Sequence, residues 1–328
     1  MLRVAMLSFW HVHAGDYARQ ATEHPDVEIV GAWDDDAERG RAGAEKLGVK
    51  YYDDLAELLA TPDLDGVIVD TPTNLHPEVI GAAIRAGKHV FTEKVLALST
   101  ADADALIAAA RDAGVALVLS LPRLYHGYTQ AIADVVASGR LGEITLVRTR
   151  LAHNGAVGKA WLPDRFFDPK ACGGGAMVDL GCHPMYLARL FAGGMPESLT
   201  ASYGSVTGHA VEDNAVAVLS YPNGKLAVVE AGFAAAQSPF TIEIYGTAGS
   251  LLFDTSASTL KVRAGDDSGW SELPIPDDQP TAFVQWVRHS ADGSWAGHNV
   301  DIGADLTRLM EAANASAASG TSVRLDGS

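Results

Sequence analysis

Residues 2–36 read LRVAMLSFWHVHAGDYARQATEHPDVEIVGAWDDD, and the order of apolar and polar stretches within them decides the fold class. LRVAML (2–7) is an apolar run of strand length, residues 14–23 can form the helix after it, and VEIVGAW (27–33) is a second strand ended by three aspartates. The same alternation continues to about residue 120. Residues 37–47 read as a helix stopped by Gly48. Asp53 or Asp54 can cap a short helix through Leu59. GVIVD (66–70) is a strand stopped by Pro72, and Pro77 suits the first turn of a helix that ends at Gly87. Residues 89–92 and 115–119 are further strands, separated by a helix to Ala113 that Ser99 and Asp102 open as a capping box. Strands apolar on both faces, alternating with helices, predict an α/β fold with a doubly wound parallel sheet.

Beyond Leu121 the pattern changes. A helix over 128–138 is followed by strand-like runs at 143–152, 198–206, 214–221, 225–233, 241–245 and 250–253. Pro222-Asn223-Gly224 marks a turn between two of them. A final helix over about 301–318 carries Leu306, Leu309 and Met310 at helical spacing. The expected division is a dinucleotide-binding domain over 1–122 and a second α/β domain over 123–328, with an open, mainly antiparallel sheet.

Composition bounds the partners. The chain has 328 residues, is 48% hydrophobic and carries a net charge of −17. Such an acidic chain is a poor general binder of nucleic acid or anionic membrane, and no Lys/Arg run offsets it. No apolar run approaches the roughly 18 residues of a membrane span. The N-terminus reads as a strand rather than a signal peptide. With two cysteines, Cys172 and Cys182, no disulfide framework is expected, and a cytoplasmic location follows as an expectation.

In a doubly wound sheet, ligands sit beyond the carboxyl ends of the strands. The segments to read are therefore 8–13, 34–36, 71–76 and 93–95. Asp34 follows the second strand, where a carboxylate can accept the hydroxyls of an adenosine ribose and favour NAD over NADP. Asp35 and Asp36 are better placed as helix caps. The first turn, Ser8-Phe9-Trp10-His11-Val12-His13, lacks the glycines of G-x-G-x-x-G, which let backbone approach the pyrophosphate. His11 and His13 form an H-x-H pair, open to three readings: polar contacts to cofactor or substrate, structural histidines, or metal ligands. The local sequence supplies no further metal ligand, so no metal is expected.

Two segments carry a family resemblance, TPTNLHPEVIGAAIRAGKHVFTEK (71–94) and GGGAMVDLGCHPMYLA (173–188). Together with SGRLGEI (138–144), IEIYGTAGSLLF (242–253) and Asp34, they resemble the Gfo/Idh/MocA family of glucose–fructose oxidoreductase and inositol dehydrogenase relatives. The resemblance implies NAD(P)-linked oxidation or reduction of a sugar, cyclitol or related polyol. It also implies pairing into homodimers or homotetramers through the second domain's sheet. By position, Asn74, Glu93 and Lys94 match residues lining the nicotinamide, and Lys94, Asp179 and His183 match the catalytic lysine, aspartate and histidine. Ser8, Phe9, Trp10, His11, Thr71, Pro72 and His76 complete the expected cofactor loops. Arg123, Tyr125, His153, Asn154, Trp161 and Arg165 join His183 as candidate substrate contacts. The family's Glu-Lys-Pro is Glu93-Lys94-Val95 here, and valine lifts the backbone restriction that proline imposes.

The chemistry fits these residue types. Alcohol oxidation needs a hydride acceptor and a group that takes the hydroxyl proton, and lysine can be that group. Asp179 and His183 are four apart and would share a helix face, although Pro184 predicts a kink or irregular turn there. The two cysteines read as buried thiols. Two other functions suit the same residues: NAD-assisted glycoside elimination or hydrolysis, and sugar binding without catalysis by a chain that has lost the cofactor.

Overall fold

The computed structural model describes residues 1–325. Its chain divides into two compact units, 1–121 with 280–307 and 122–279 with 308–328.

In the first unit the elements run β1 (Leu2–Leu7), α1 (Ala14–Glu23), β2 (Val27–Trp33), α2 (Ala37–Leu47), β3 (Lys50–Tyr51), α3 (Leu55–Leu59), β4 (Gly66–Val69), α4 (His76–Arg85), β5 (His89–Thr92), α5 (Thr100–Ala113) and β6 (Leu117–Leu119). The strands form one parallel sheet in the order β3-β2-β1-β4-β5-β6. The order reverses between β1 and β4, which makes their carboxyl ends the ligand crevice of such a fold. Val4–Leu7 and Val67–Val69 are wholly buried, which explains why these strands are continuous apolar runs. Asp36 caps α2 by accepting from Glu38 and Arg39 N–H, Asp54 caps α3, and Ser99 caps α5.

The second unit contains α6 (Gly127–Ala137), β7 (Ile144–Ala152), α7 (Pro169–Cys172), α8 (Ala176–Asp179) and α9 (Cys182–Ala192). Then follow β8 (Ser198–Gly204), β9 (Asn214–Ser220), β10 (Leu226–Gly232), β11 (Thr241–Gly246), β12 (Gly249–Asp254), β13 (Thr259–Ala264) and β14 (Ser271–Leu273). Two long helices, α10 (Ala282–Asp292) and α11 (Gly297–Ser319), precede the short β15 (Val323–Arg324). Among the described residues the second sheet has nine strands in the order β14-β13-β12-β11-β7-β10-β9-β8-β15, antiparallel except where β7 meets β10. One face is covered by α9, where Thr149 Oγ1 of β7 donates to Pro184 C=O at 3.0 Å. The other face carries half-exposed Arg148, Arg150, Glu230 and Glu243, with Arg148 Nη2 2.6 Å from Glu230 Oε1.

Residues 280–307 fold with the first unit, which a single boundary at 122/123 does not convey. The cause is local packing. Trp286 of α10 is fully buried, its ring 5.9 Å from Phe91 and 5.6 Å from Phe283. A Cβ at Gly66 would lie 2.9 Å from the Trp286 ring. Asn299 completes the edge strand β6, accepting from Leu119 N–H at 2.8 Å and donating to Leu119 C=O at 2.9 Å. Among the described residues, no helix is long and apolar enough to cross a membrane.

Candidate active site

The turn after β1 keeps the shape of a glycine turn without its glycines. Ser8 sits at φ +78°, the left-handed region glycine normally fills, at a cost of roughly 1–2 kcal/mol. Its hydroxyl offsets part of that cost, donating to Asp35 Oδ1 at 3.0 Å and accepting from Trp10 N–H at 3.1 Å. The turn spends further backbone donors internally: Phe9 N–H on Asp34 Oδ2, His11 N–H on Asp70 C=O and His13 N–H on His11 Nδ1. Trp10 is 7% exposed, and Phe9 packs its ring where a Cβ on Gly43 of α2 would fall.

Asp34 leaves the end of β2 fully engaged. Oδ2 accepts from Phe9 N–H at 2.7 Å and Arg39 Nε at 3.0 Å, and Oδ1 from Asp36 N–H at 2.9 Å and Arg39 Nη2 at 2.5 Å. Burial pushes its pKa up, against the pull of Arg39 and the two backbone donors. The Asp34 carboxylate is thus already shared with Arg39.

Beyond β4 lie three buried groups: Asp70, both of whose oxygens lack a hydrogen-bond partner, Thr71 Oγ1 and Asn74 Oδ1. Burial drives the Asp70 pKa well above the ordinary aspartate value, and the charges of Glu93 and Asp34 add to the rise. His76 was expected among the cofactor contacts. Its ring is fully buried, with Nδ1 2.9 Å from Val95 C=O and Nε2 3.3 Å from Thr71 C=O. It ties the Lys94 segment to the β4 loop. Pro72, next to Thr71 in the chain, is buried.

Glu93 and Lys94 follow β5 and are 1% and 5% exposed. Glu93 Oε2 accepts from Lys94 N–H at 2.9 Å. Glu93 Oε1 receives the Tyr17 hydroxyl of α1 and lies 2.7 Å from His13 Nδ1 and 3.5 Å from His11 Nδ1. Burial alone would raise the Glu93 pKa, but the imidazoles of His11 and His13 and the Lys94 ammonium hold it well below the ordinary value. Tyr17 also sits 2.5 Å from Ser120 Oγ, and burial and the Glu93 charge hold its pKa well above 10. The Lys94–Val95 peptide bond is cis.

The remaining candidates belong to the second unit. Asp179 ends α8 and His183 lies in the first turn of α9, so they occupy two helices rather than one continuous face. The break at Leu180-Gly181 places Pro184 in the first turn of α9, where its missing N–H costs nothing. His183 is 7% exposed, with Nδ1 3.4 Å from the Tyr186 hydroxyl, which accepts from Arg123 N–H at 3.0 Å. His153 stacks on Phe233 at 5.2 Å and lies 4.8 Å from Trp161. Burial lowers the His153 pKa, and the charge of Asp179 opposes this. The structure thus groups His153, Asp179 and Trp161, the last 53% exposed. Arg123 turns to its own surroundings: its guanidinium lies 4.2 Å over Phe240 and donates to Tyr128 Oη at 3.1 Å. Tyr125 is buried, Asn154 is exposed, and Arg165 lies 5.9 Å from the Phe166 ring. Cys172 and Cys182 are buried, and neither is in a disulfide.

Tyr17, Ser120, Asp70 and Tyr186 were not singled out from sequence. Tyr17 alone left a local signal, standing one helical turn after His13.

Residues 10–120 match the oxidoreductase family with the NAD-binding Rossmann fold, and residues 129–252 match the GFO/IDH/MocA C-terminal domain. The chain belongs to the GFO/IDH/MocA oxidoreductase family. It is 32% identical over 259 residues to the 1,5-anhydro-D-fructose reductase of Ensifer adhaerens, covering 76% of this chain and 75% of that one. Identity is also 32% over 233 residues to the myo-inositol 2-dehydrogenase of Thermotoga maritima, covering 69% and 67%. The crystal structure of GenD2 from gentamicin A biosynthesis, in complex with NAD, superposes with a TM-score of 0.83 at 27% identity, over 99% of this chain and 97% of that one. The family match makes this chain an NAD(P)-linked oxidoreductase of a group that acts on sugars and polyols.

The first unit fits a dinucleotide on its own geometry. The turn retains a left-handed residue at Ser8, and Thr71 Oγ1 and Asn74 Oδ1 are buried polar atoms awaiting a partner at the carboxyl end of β4. Its departures are the bulk of Trp10 and the prior engagement of Asp34.

Proposed function

We propose that this chain is an NAD(H)-dependent dehydrogenase acting on a secondary alcohol or ketone of a sugar, cyclitol or related polyol, with Lys94 as its acid–base group. The observation that carries this is the position of Lys94. It is buried just past the carboxyl end of β5, in the segment that His76 ties to the Thr71–Asn74 loop. The Ser8 turn, Asp34, Thr71 and Asn74 would hold the dinucleotide, which when bound supplies the hydride acceptor.

Lys94 then manages the proton. Its neutral amine takes the hydroxyl proton during oxidation, and its ammonium returns a proton to the carbonyl oxygen during reduction. Glu93 fixes the start of that side chain through the Lys94 N–H. Asp179 and His183 are assigned to substrate hydroxyls by the family correspondence of residues 173–188. NAD+ is preferred to NADP+ because Asp34, Asp35 and Asp36 outnumber the one guanidinium of Arg39, which a 2′-phosphate would have to detach from Asp34 and Asp35. Cytoplasmic residence agrees with two cysteines outside any disulfide. Homo-oligomers would form through the charged, half-exposed face of the second sheet.

Lys94→Ala tests the assignment. Turnover of any accepted polyol should fall by about 10²–10⁴-fold, with circular dichroism and melting unchanged. Undiminished turnover would remove Lys94 from the mechanism.

A further inference from the structure

The H-x-H pair of the first turn has no third ligand nearby in sequence, but the fold brings one from 80 residues away. His11 and His13 lie past the carboxyl end of β1, and Glu93 lies past the end of β5. One ligand atom from each falls within 4.8 Å of the other two. His13 Nδ1 is 2.7 Å and His11 Nδ1 is 3.5 Å from Glu93 Oε1, and the two rings meet edge to face at 4.5 Å. We propose that His11, His13 and Glu93 form a binding site for a divalent first-row transition ion, of the kind Zn2+ and Co2+ represent.

The donor set is the first reason. Two imidazoles and one carboxylate are a set that zinc accepts while leaving a coordination position open to an oxygen ligand. Zinc bonds of 2.0–2.2 Å in tetrahedral geometry place ligand atoms roughly 3.4 Å apart. The observed 2.7 and 3.5 Å to Glu93 straddle that value, and all three ligand atoms lie within 4.8 Å of one another.

The surroundings are the second reason. His13 N–H donates to His11 Nδ1 at 3.3 Å, which puts the ring proton on Nε2, and an ion at Nδ1 would replace this long backbone bond. The Tyr17 hydroxyl and Lys94 N–H orient the two oxygens of Glu93, as outer contacts orient a ligating carboxylate.

The test uses the full chain, stripped with a chelator and kept free of nucleotide, so its outcome is independent of dehydrogenase activity. Co2+ is titrated in and followed by visible ligand-field absorption, and Zn2+ is then added as a competitor. One Co2+ per chain, displaced by Zn2+, is expected. His13→Gln and Glu93→Gln should each weaken uptake by at least about tenfold. The His13 side chain is 42% exposed, so its variant should keep the fold even where the buried Glu93 variant does not. Absence of stoichiometric uptake by the folded wild type, or equal uptake by folded His13→Gln, would overturn the proposal.

Discussion

Asp70→Asn should change the pH dependence of stability in a calculable way. An aspartate in an unfolded chain ionises near pH 3.9. In the folded chain Asp70 is fully buried and neither oxygen has a hydrogen-bond partner, so burial raises its pKa well above that value, and Glu93 and Asp34 push the same way. Between the unfolded and folded values, unfolding releases a proton. Stability is therefore complete below the unfolded pKa and is lost as pH rises toward the folded one. Within that window the loss is about 1.4 kcal/mol per pH unit, and above it the curve flattens. The amide does not titrate, so the variant escapes this loss while keeping nearly the same volume. Any fixed cost of burying an unpartnered amide is the same at every pH. Urea unfolding at roughly pH 5, 6 and 7 in chelator-treated buffer, followed by tryptophan fluorescence, measures the difference. The variant should gain on the wild type by about 1.4 kcal/mol per unit inside the window. A constant offset across this range would refute the reasoning, since it would mean Asp70 titrates alike in both states.

Arg39→Ala removes both guanidinium bonds from Asp34 and leaves its oxygens open to ribose hydroxyls. Calorimetry should show tighter NAD+ binding and NADP+ binding weaker by roughly tenfold or more, the worth of a lost charged hydrogen bond. Unchanged affinities would place the ribose elsewhere. The Arg148, Arg150, Glu230 and Glu243 face should pair with a second copy, so light scattering should give two or four times the 34.4 kDa chain mass. A single-chain mass at micromolar concentration would contradict that assembly.

Five of the first six strands were legible because each reads as an apolar run between turn residues; the two-residue β3, Lys50–Tyr51, was not. The strands at 198–206, 214–221, 225–233, 241–245 and 250–253 were legible from spacing and the Pro222-Asn223-Gly224 turn, and they correspond to β8 through β12. β13 and the edge strands β14 and β15 passed unseen: β14 and β15 are short and mostly exposed, with little apolar pattern. α10 was missed as well. Its Trp286 and Phe283 pack on Phe91 of β5, a partner almost two hundred residues earlier.

The site divides in the same way. Asp36 as a cap and the irregular turn before Pro184 followed from local chemistry, and both occur. That Ser8 would take a left-handed conformation did not follow, because serine seldom does so and only the hydrogen bonds to Asp35 and Trp10 reveal its compensation. Nor could sequence show that Asp34 is shared with Arg39, that His76 faces carbonyls, or that Glu93 joins His11 and His13. Each is a contact that only the assembled parallel sheet creates.

The most direct test of the central claim is calorimetric titration of the purified chain with NAD+ and with NADP+, after denatured protein has been checked for released nucleotide. Saturable binding of one NAD+ per chain, tighter than NADP+, or NAD(H) already retained, is the expected result. No binding of either dinucleotide, with none retained, would contradict it: the turn from Ser8 to His13 would then not hold a dinucleotide.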